Sequence, residues 1–134
     1  MPYADVEKAL VAWLPSHIGN PGEFLGRVVT ELPDQFEEQL PVVQVARIPL
    51  GGDRVISFDD AVVDIEVYEA NRGLALQLAE KVRTAMRTKL LGQTVNGAVF
   101  ARVRCSSGPA MRPYGNNAVR RAGATYDVTV HSSP

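Results

Sequence analysis

Residues 61–91 constrain the fold of this chain most strongly, because they predict one strand followed directly by one long helix. Apolar and polar side chains alternate along 61–68, which is typical of a strand with one buried face; Val63, Ile65 and Val67 share the apolar face. Asn71 is a suitable N-cap, and Gly92 can end the helix. Between them lies one apolar stripe of Leu74, Ala75, Leu78, Val82, Ala85 and Met86. A helix of this kind must bury its stripe against a sheet.

The remaining elements predict an α+β fold. A first helix is expected from the capping residue Asp5 to Leu14, with strands near 27–32, 42–48, 98–105 and 121–131. Pro49 is expected to end the second strand, with a brief extended segment at 55–58. The order is helix, strand, strand, strand, helix, strand, strand. We therefore expect a single domain over 1–134, with a mostly antiparallel sheet of about five strands and both helices on one face. The opposite face would carry Asp64, Glu66, Arg102, Arg104, Asp127 and Thr129.

Two segments rich in glycine and proline, 49–60 and 106–121, are predicted to form interaction surfaces. Residues 106–117 are expected to be a long loop, a class of segment that is often functional, and the apolar Met111 and Tyr114 within it have no evident core to join. The candidate interface residues are Leu50, Gly51, Asp53, Arg54, Phe58, Met111, Arg112, Tyr114, Arg120 and Arg121.

Charge and composition exclude several classes of protein. The net charge of −1 gives no global attraction to nucleic acid. Cys105 is the only cysteine, so no internal disulfide can form. The first residues are not typical of a signal peptide, since acidic side chains come early, and no stretch approaches the roughly 20 apolar residues of a membrane span. We expect a soluble protein made in the cytosol, with no cofactor.

Catalytic signals are weak. Asp64 and Glu66 share one strand face and could hold a metal ion in a small nuclease, but Tyr68 stands where such nucleases carry a lysine. A solvated strand face is the favoured interpretation. Cys105 alternates with Val99, Ala101 and Val103, which predicts a core position for all four residues, with Phe100 on the other face.

The arginines that flank the long loop have two interpretations. Arg112, Arg120 and Arg121 could contact phosphate or protein. The net charge favours protein contact. By elimination, we expect that the protein is not an enzyme.

Taken in order, these segments resemble the tail terminator, or tail completion, proteins of long-tailed, non-contractile bacteriophages. The resemblance rests on the N-terminal amphipathic helix, the helix over 74–91, the 109–117 loop, and the strings RVVTELP (27–33), LPVVQV (40–45), FDDAVVDIEVY (58–68) and RAGATYDVTV (121–130). It covers nearly the whole chain, and its specificity lies in the order of the pieces.

The resemblance implies assembly rather than catalysis. Tail terminators form a ring, usually six-fold, that caps the tail tube, stops the addition of tube subunits and offers its other surface to the head connector. DNA later passes through the central hole, which the acidic face with Asp64 and Glu66 would line in one arrangement. Another neck or head-tail connector protein, or a component of a tail-like secretion device, remains an alternative within this class.

Overall fold

The computed structural model describes residues 5–55, 58–116 and 118–133, without the side chains of 53–55. The elements are α1 (Val6–Trp13), a 3₁₀ turn (Leu14–Ser16), β1 (Arg27–Val29), a second 3₁₀ turn (Phe36–Glu38), β2 (Val42–Val55), β3 (Phe58–Glu69), α2 (Arg72–Thr88), β4 (Thr94–Val95), β5 (Ala98–Met111) and β6 (Arg120–Ser132). The predicted α+β class and element order are confirmed.

One sheet contains the six described strands in the order β1-β2-β3-β6-β5-β4. Only β1 and β2 are parallel, and the other neighbours are antiparallel. The strand that the sequence did not predict is β4, which pairs with the start of β5. Asn96 and Gly97 connect them with φ of 48° and 79°, the backbone that a tight two-residue hairpin turn requires.

Both helices pack on the same face of the sheet and are capped as predicted. Asp5 Oδ1 accepts a hydrogen bond from the Lys8 N–H at 3.0 Å, and Asn71 Oδ1 accepts one from the Leu74 N–H at 2.9 Å. The apolar stripe of α2 is buried except for Leu74, whose predicted core position is wrong, since it is 42% exposed. Leu74 lines an open cavity of about 220 Å³ together with Phe24, Leu25 and Pro41.

The predicted end of the second strand is wrong. β2 continues through Pro49 to Val55 and pairs with β3 along most of this length, with register shifts between Ile48 and Gly51 and between Asp53 and Val55. Proline is tolerated at such irregularities because no regular ladder hydrogen bond is required of its nitrogen. Residues 49–55 therefore form the upper part of a long β-hairpin with β3.

The predicted loop over 106–117 is also wrong in its first half, because β5 runs to Met111 and pairs with β6 throughout. Register shifts occur after Phe100, after Cys105 and after Ser107, and each extra residue moves the following side chains to the other face. The inward residues are therefore Ala98 and Phe100 before the first shift, and Val103 and Cys105 after it. The prediction that Phe100 faces away from the core is wrong, as is the core position of Ala101, which is exposed.

A second, smaller core covers part of the polar face of the sheet. Phe36, Val42, Tyr68 and Val119 are its buried members, and Val29, Leu32, Leu40 and Tyr114 pack against it. The segment between β1 and β2 and the loop between β5 and β6 thus both fold onto the face opposite the helices. Tyr68, which the alternation places on the wetter face, is only 1% exposed as a result.

Candidate functional site

The candidate interface residues divide between the two ends of the sheet. Leu50, Gly51 and Phe58 lie where β2 turns into β3, and we call this region the hairpin end. Residues 111–121 lie where β5 turns into β6, beside the last residues of β3, and we call this region the loop end. The strand β3 spans Phe58–Glu69 between them, so the two ends are about 36 Å apart at ~3.3 Å per residue.

At the hairpin end, the exposed apolar surface comes from Leu50, whose side chain is 62% exposed. Gly51 has φ of 80°, and a Cβ there would lie 2.3 Å from the Asp60 carbonyl oxygen, so the close approach of β2 and β3 requires glycine. The Phe58 ring packs against that of His131, with centroids 5.1 Å apart. The side chains of Asp53 and Arg54, two further candidates, lie outside the described residues.

A partly buried ion pair holds the strands below this end. Asp59 is 5% exposed, and both of its carboxylate oxygens accept hydrogen bonds from the Arg47 guanidinium, at 2.7 and 2.8 Å. Hydrogen bonding to Asp59 raises the pKa of Arg47. Asp59 and Arg47 lie on the helix-covered face of the sheet, at the end of the apolar core. Their bidentate contact therefore fixes the base of the hairpin.

At the loop end, the apolar residues have cores to join, contrary to prediction. Met111 packs against the main core, and Tyr114 packs against the second core. The Tyr114 ring meets Phe36 and Tyr68 edge-on, at centroid distances of 6.0 and 5.5 Å, and the Arg121 guanidinium lies over it at 5.0 Å. Tyr114 is therefore an anchor of the loop.

Arg112 and Arg121 also hold the loop against the sheet. Arg112 Nη1 donates to Asp64 Oδ1 at 3.1 Å, and its Nη2 donates to Thr125 Oγ1 at 3.1 Å. Arg121 donates to the carbonyl oxygens of Arg112 and Pro113 at 3.2 and 2.7 Å. Its Nε also lies 3.4 Å from Glu66 Oε2. Arg120, the last candidate, has an exposed side chain at the start of β6.

These contacts bear directly on the metal-dependent alternative. The carboxylates of Asp64 and Glu66 both face Arg112, at 3.1 and 3.7 Å, so a guanidinium occupies the position where a metal ion would have to bind. Within residues 5–55, 58–116 and 118–133, no group of three or more His, Cys, Asp or Glu side chains has a geometry suited to a metal ion. In the described chain, the two carboxylates are therefore ion-pair partners of Arg112.

The prediction that β5 and β6 carry polar side chains on the face opposite the helices is confirmed. Arg102 and Arg104 on β5 lie opposite Thr129 and Asp127 on β6 in the strand register. The Thr129 hydroxyl donates to Asp60 Oδ1 at 2.6 Å. Together they line a shallow cavity of about 230 Å³.

The other side chains that could take part in chemistry or binding pack within the fold. Cys105 packs against the main core, and Trp13 is buried with its ring stacked on His17 at 4.1 Å. The Tyr126 hydroxyl is the buried side-chain polar atom without a hydrogen-bond partner in the described chain, and burial raises the pKa of this phenol. Sequence reasoning missed it because Tyr126 simply follows the alternation of β6.

A sequence model of the family described as "Phage tail termination protein" matches residues 2–133. The chain belongs to this family. The resemblance seen in the sequence is thereby confirmed, and membership makes the protein a structural component of the phage tail rather than a member of an enzyme family. Among curated proteins, no significant sequence match is found. No helix in the described part of this tail termination protein is long and apolar enough to cross a membrane.

Proposed function

We propose that this protein is the tail terminator subunit, which assembles as a six-fold ring on the end of the tail tube, stops tube polymerisation and presents a surface to the head connector. Family membership supports the tail role. The ring, its stoichiometry and the two partners are the parts that we infer. Assembly would take place in the host cytoplasm, and the ring would lie at the head-proximal end of the tail.

The observation that carries the proposal is the position of the two candidate regions. A terminator must bind two different partners on opposite sides, and the hairpin end and the loop end lie about 36 Å apart along β3. Both are held by ion pairs and packed rings, so each can present a defined surface. We propose that one end contacts the tube and the other the connector, while DNA passes through the hole of the ring.

The function works by binding, and we propose no catalytic step. The only paired carboxylates that suggested chemistry, Asp64 and Glu66, take part in the ion pairs that hold the loop end. The alternative is another neck or head-tail connector protein, which would also bind parts of the head-tail junction. No feature of the described residues favours it over the terminator.

The test compares one variant at each end. Leu50→Glu changes the exposed surface of the hairpin end, and Arg120→Glu changes that of the loop end, while neither removes a buried side chain. Tube capping is measured as the length distribution of tubes polymerised with each variant, and head joining as the yield of infectious particles from added heads. We expect one variant to lose capping and the other to lose joining. If both variants keep both activities, or if each loses both, the two-ended arrangement is wrong.

A further inference from the structure

Charge is strongly segregated along this chain. Residues 1–70 contain 13 acidic and 4 basic side chains, a formal charge of −9, and residues 71–134 contain 2 acidic and 10 basic side chains, a formal charge of +8. The overall charge of −1 hides this division. Such an asymmetry between halves indicates an electrostatic role in association.

The sheet topology turns this division along the chain into a division in space. The strands β1, β2 and β3 come from the acidic half and occupy one side of the sheet, whereas β6, β5 and β4 come from the basic half and occupy the other. Ion pairs within the subunit neutralise part of the boundary. Glu23 forms an ion pair with Lys81 at 2.5 Å. Arg112 pairs with Asp64 and Glu66, and Arg121 pairs with Glu66.

The outer parts of the two sides keep their charge. The segment from β1 to β2 starts beside β1 with Glu31 and then folds onto the face opposite the helices; its Glu31, Asp34, Glu37 and Glu38 are called the acidic edge. At the other side, Arg83 and Arg87 lie on α2 over the helix-covered face, and Arg102 and Arg104 on β5 point to the opposite face; we call these four arginines around the open side of β5 the basic edge. Arg83 Nη1 lies 3.9 Å from the position of a Cβ on Gly108 of β5, which places the two elements together. The ion pairs among the described residues involve one of these eight side chains, Arg83, which lies 3.6 Å from Glu80 on its own helix.

Both edges also include strand backbone that is free to pair with another strand. In the described chain, no strand pairs with the outer side of β1, or with β5 beyond Phe100. An open groove of about 580 Å³ runs between β1 and α1. The charged residues that line it are Asp5, Glu7, Lys8 and Glu31, so its lining is acidic overall, and Val11, Val28 and Val29 supply its apolar part. A neighbouring chain could therefore bury apolar surface there as well as pair charges.

We propose that the acidic edge of one subunit binds the basic edge of the next, so that the ring closes head to tail through these two surfaces. The inference rests on the proposed ring and names the contact that builds it. A contact between two different patches generates a ring when its rotation closes. Charge complementarity fixes which patch meets which, because two acidic or two basic edges repel each other. The partner in this groove is a second copy of the chain.

The first test reverses two of the four charges of one edge at a time, which leaves that edge without a net charge. Ring formation is measured by sedimentation velocity over a range of protein and salt concentrations. Arg102→Glu/Arg104→Glu and Glu31→Lys/Glu38→Lys should each raise the concentration needed for rings by roughly tenfold or more. Circular dichroism and thermal unfolding show whether each variant is folded. Single Arg102→Glu is compared with Arg72→Glu, an equal charge change at an exposed arginine away from the edge, which should leave the rings intact.

The decisive test mixes the two reversed variants. In an alternating ring, half of the contacts then keep the original acidic and basic edges, and the other half place the lysines introduced at 31 and 38 against the glutamates introduced at 102 and 104. No contact joins two edges of like charge, and a six-fold ring can close. The 1:1 mixture should restore rings that neither variant forms alone. Raising the salt concentration should weaken wild-type rings, because screening shortens the Debye length from about 10 Å at 0.1 M to about 3 Å at 1 M.

The outcomes separate this inference from the proposed function. If the wild type forms rings and Arg102→Glu/Arg104→Glu forms them equally well, the edge contact is wrong and the ring stands. Loss of rings in both variants without rescue in the mixture would also refute the edge contact. If the charge-reversed variants form rings but fail to bind tube ends, the edges contact the tube instead of a second copy. A wild type that forms no ring, alone or with tube subunits, would refute both proposals.

Discussion

Replacing Arg112 by alanine tests how the loop end is held. The side chain is 26% exposed and donates to Asp64 and Thr125, and its removal leaves two partly buried carboxylates, those of Asp64 and Glu66, facing each other without this cation. A hydrogen bond to a charged group contributes about 1.5–3 kcal/mol. Because Asp64 is 29% exposed, solvent screening reduces this value. We therefore expect a loss of about 1.5 kcal/mol in the free energy of unfolding.

The assay is urea unfolding followed by circular dichroism, with hydrogen exchange of residues 113–119 as a local readout. Arg112→Lys is the matched control: it keeps the charge but loses the two-pronged geometry, so it should cost about half as much. Faster exchange in the loop should accompany the loss of stability in Arg112→Ala. A change below about 0.3 kcal/mol, with unchanged exchange, would show that Arg112 does not hold the loop.

Three further predictions concern single positions. Gly51→Ala should destabilise the fold by about 2 kcal/mol or more in urea unfolding, because a Cβ would lie 2.3 Å from a carbonyl oxygen; Gly22→Ala, at φ of 79° with open space around it, should cost only about 1 kcal/mol. Phe36→Ala should cost about 3 kcal/mol by opening the second core, and a loss below 1 kcal/mol would contradict that core. Hydrogen bonding to Lys81 lowers the pKa of Glu23 below 4.5, so its stabilisation is present above pH 4.5 and is lost as the pH falls through the lowered pKa. Glu23→Gln should flatten the acid limb of the stability curve, and an unchanged limb would contradict this.

The sequence predicted the parts of the fold whose signal is local. The alternation along β3 and the stripe of α2 each define one buried face without reference to any other element, and both are confirmed. The caps Asp5 and Asn71 are equally local, because the side chain bonds to a backbone N–H three residues later.

Features that depend on strand pairing were not predictable. Pro49 predicts the end of a strand, and Pro109 lies in a segment predicted to be a loop, yet both lie in strands near register shifts, where proline is tolerated. The shift after Phe100 exchanged the two faces of β5, which no pattern within that strand could reveal. Even the correct alternation on β3 did not reveal that Tyr68 is buried, because loops distant in the sequence cover it.

At the candidate site, too, the residues could be found from the sequence but their contacts could not. Asp64, Glu66 and Arg112 each stood out in the sequence, but their pairing depends on the register of β3, β6 and β5. Without that register, two carboxylates on one strand suggest a metal ion. With it, they are the partners of an arginine that fastens a loop.

The most direct test of the whole account is electron microscopy of tail tubes polymerised with and without this protein. We expect a ring at one end of every capped tube, no further growth when tube subunits are added, and six subunits in ring projections. Tubes that keep growing and carry no end density in the presence of the folded protein would contradict the account at its centre.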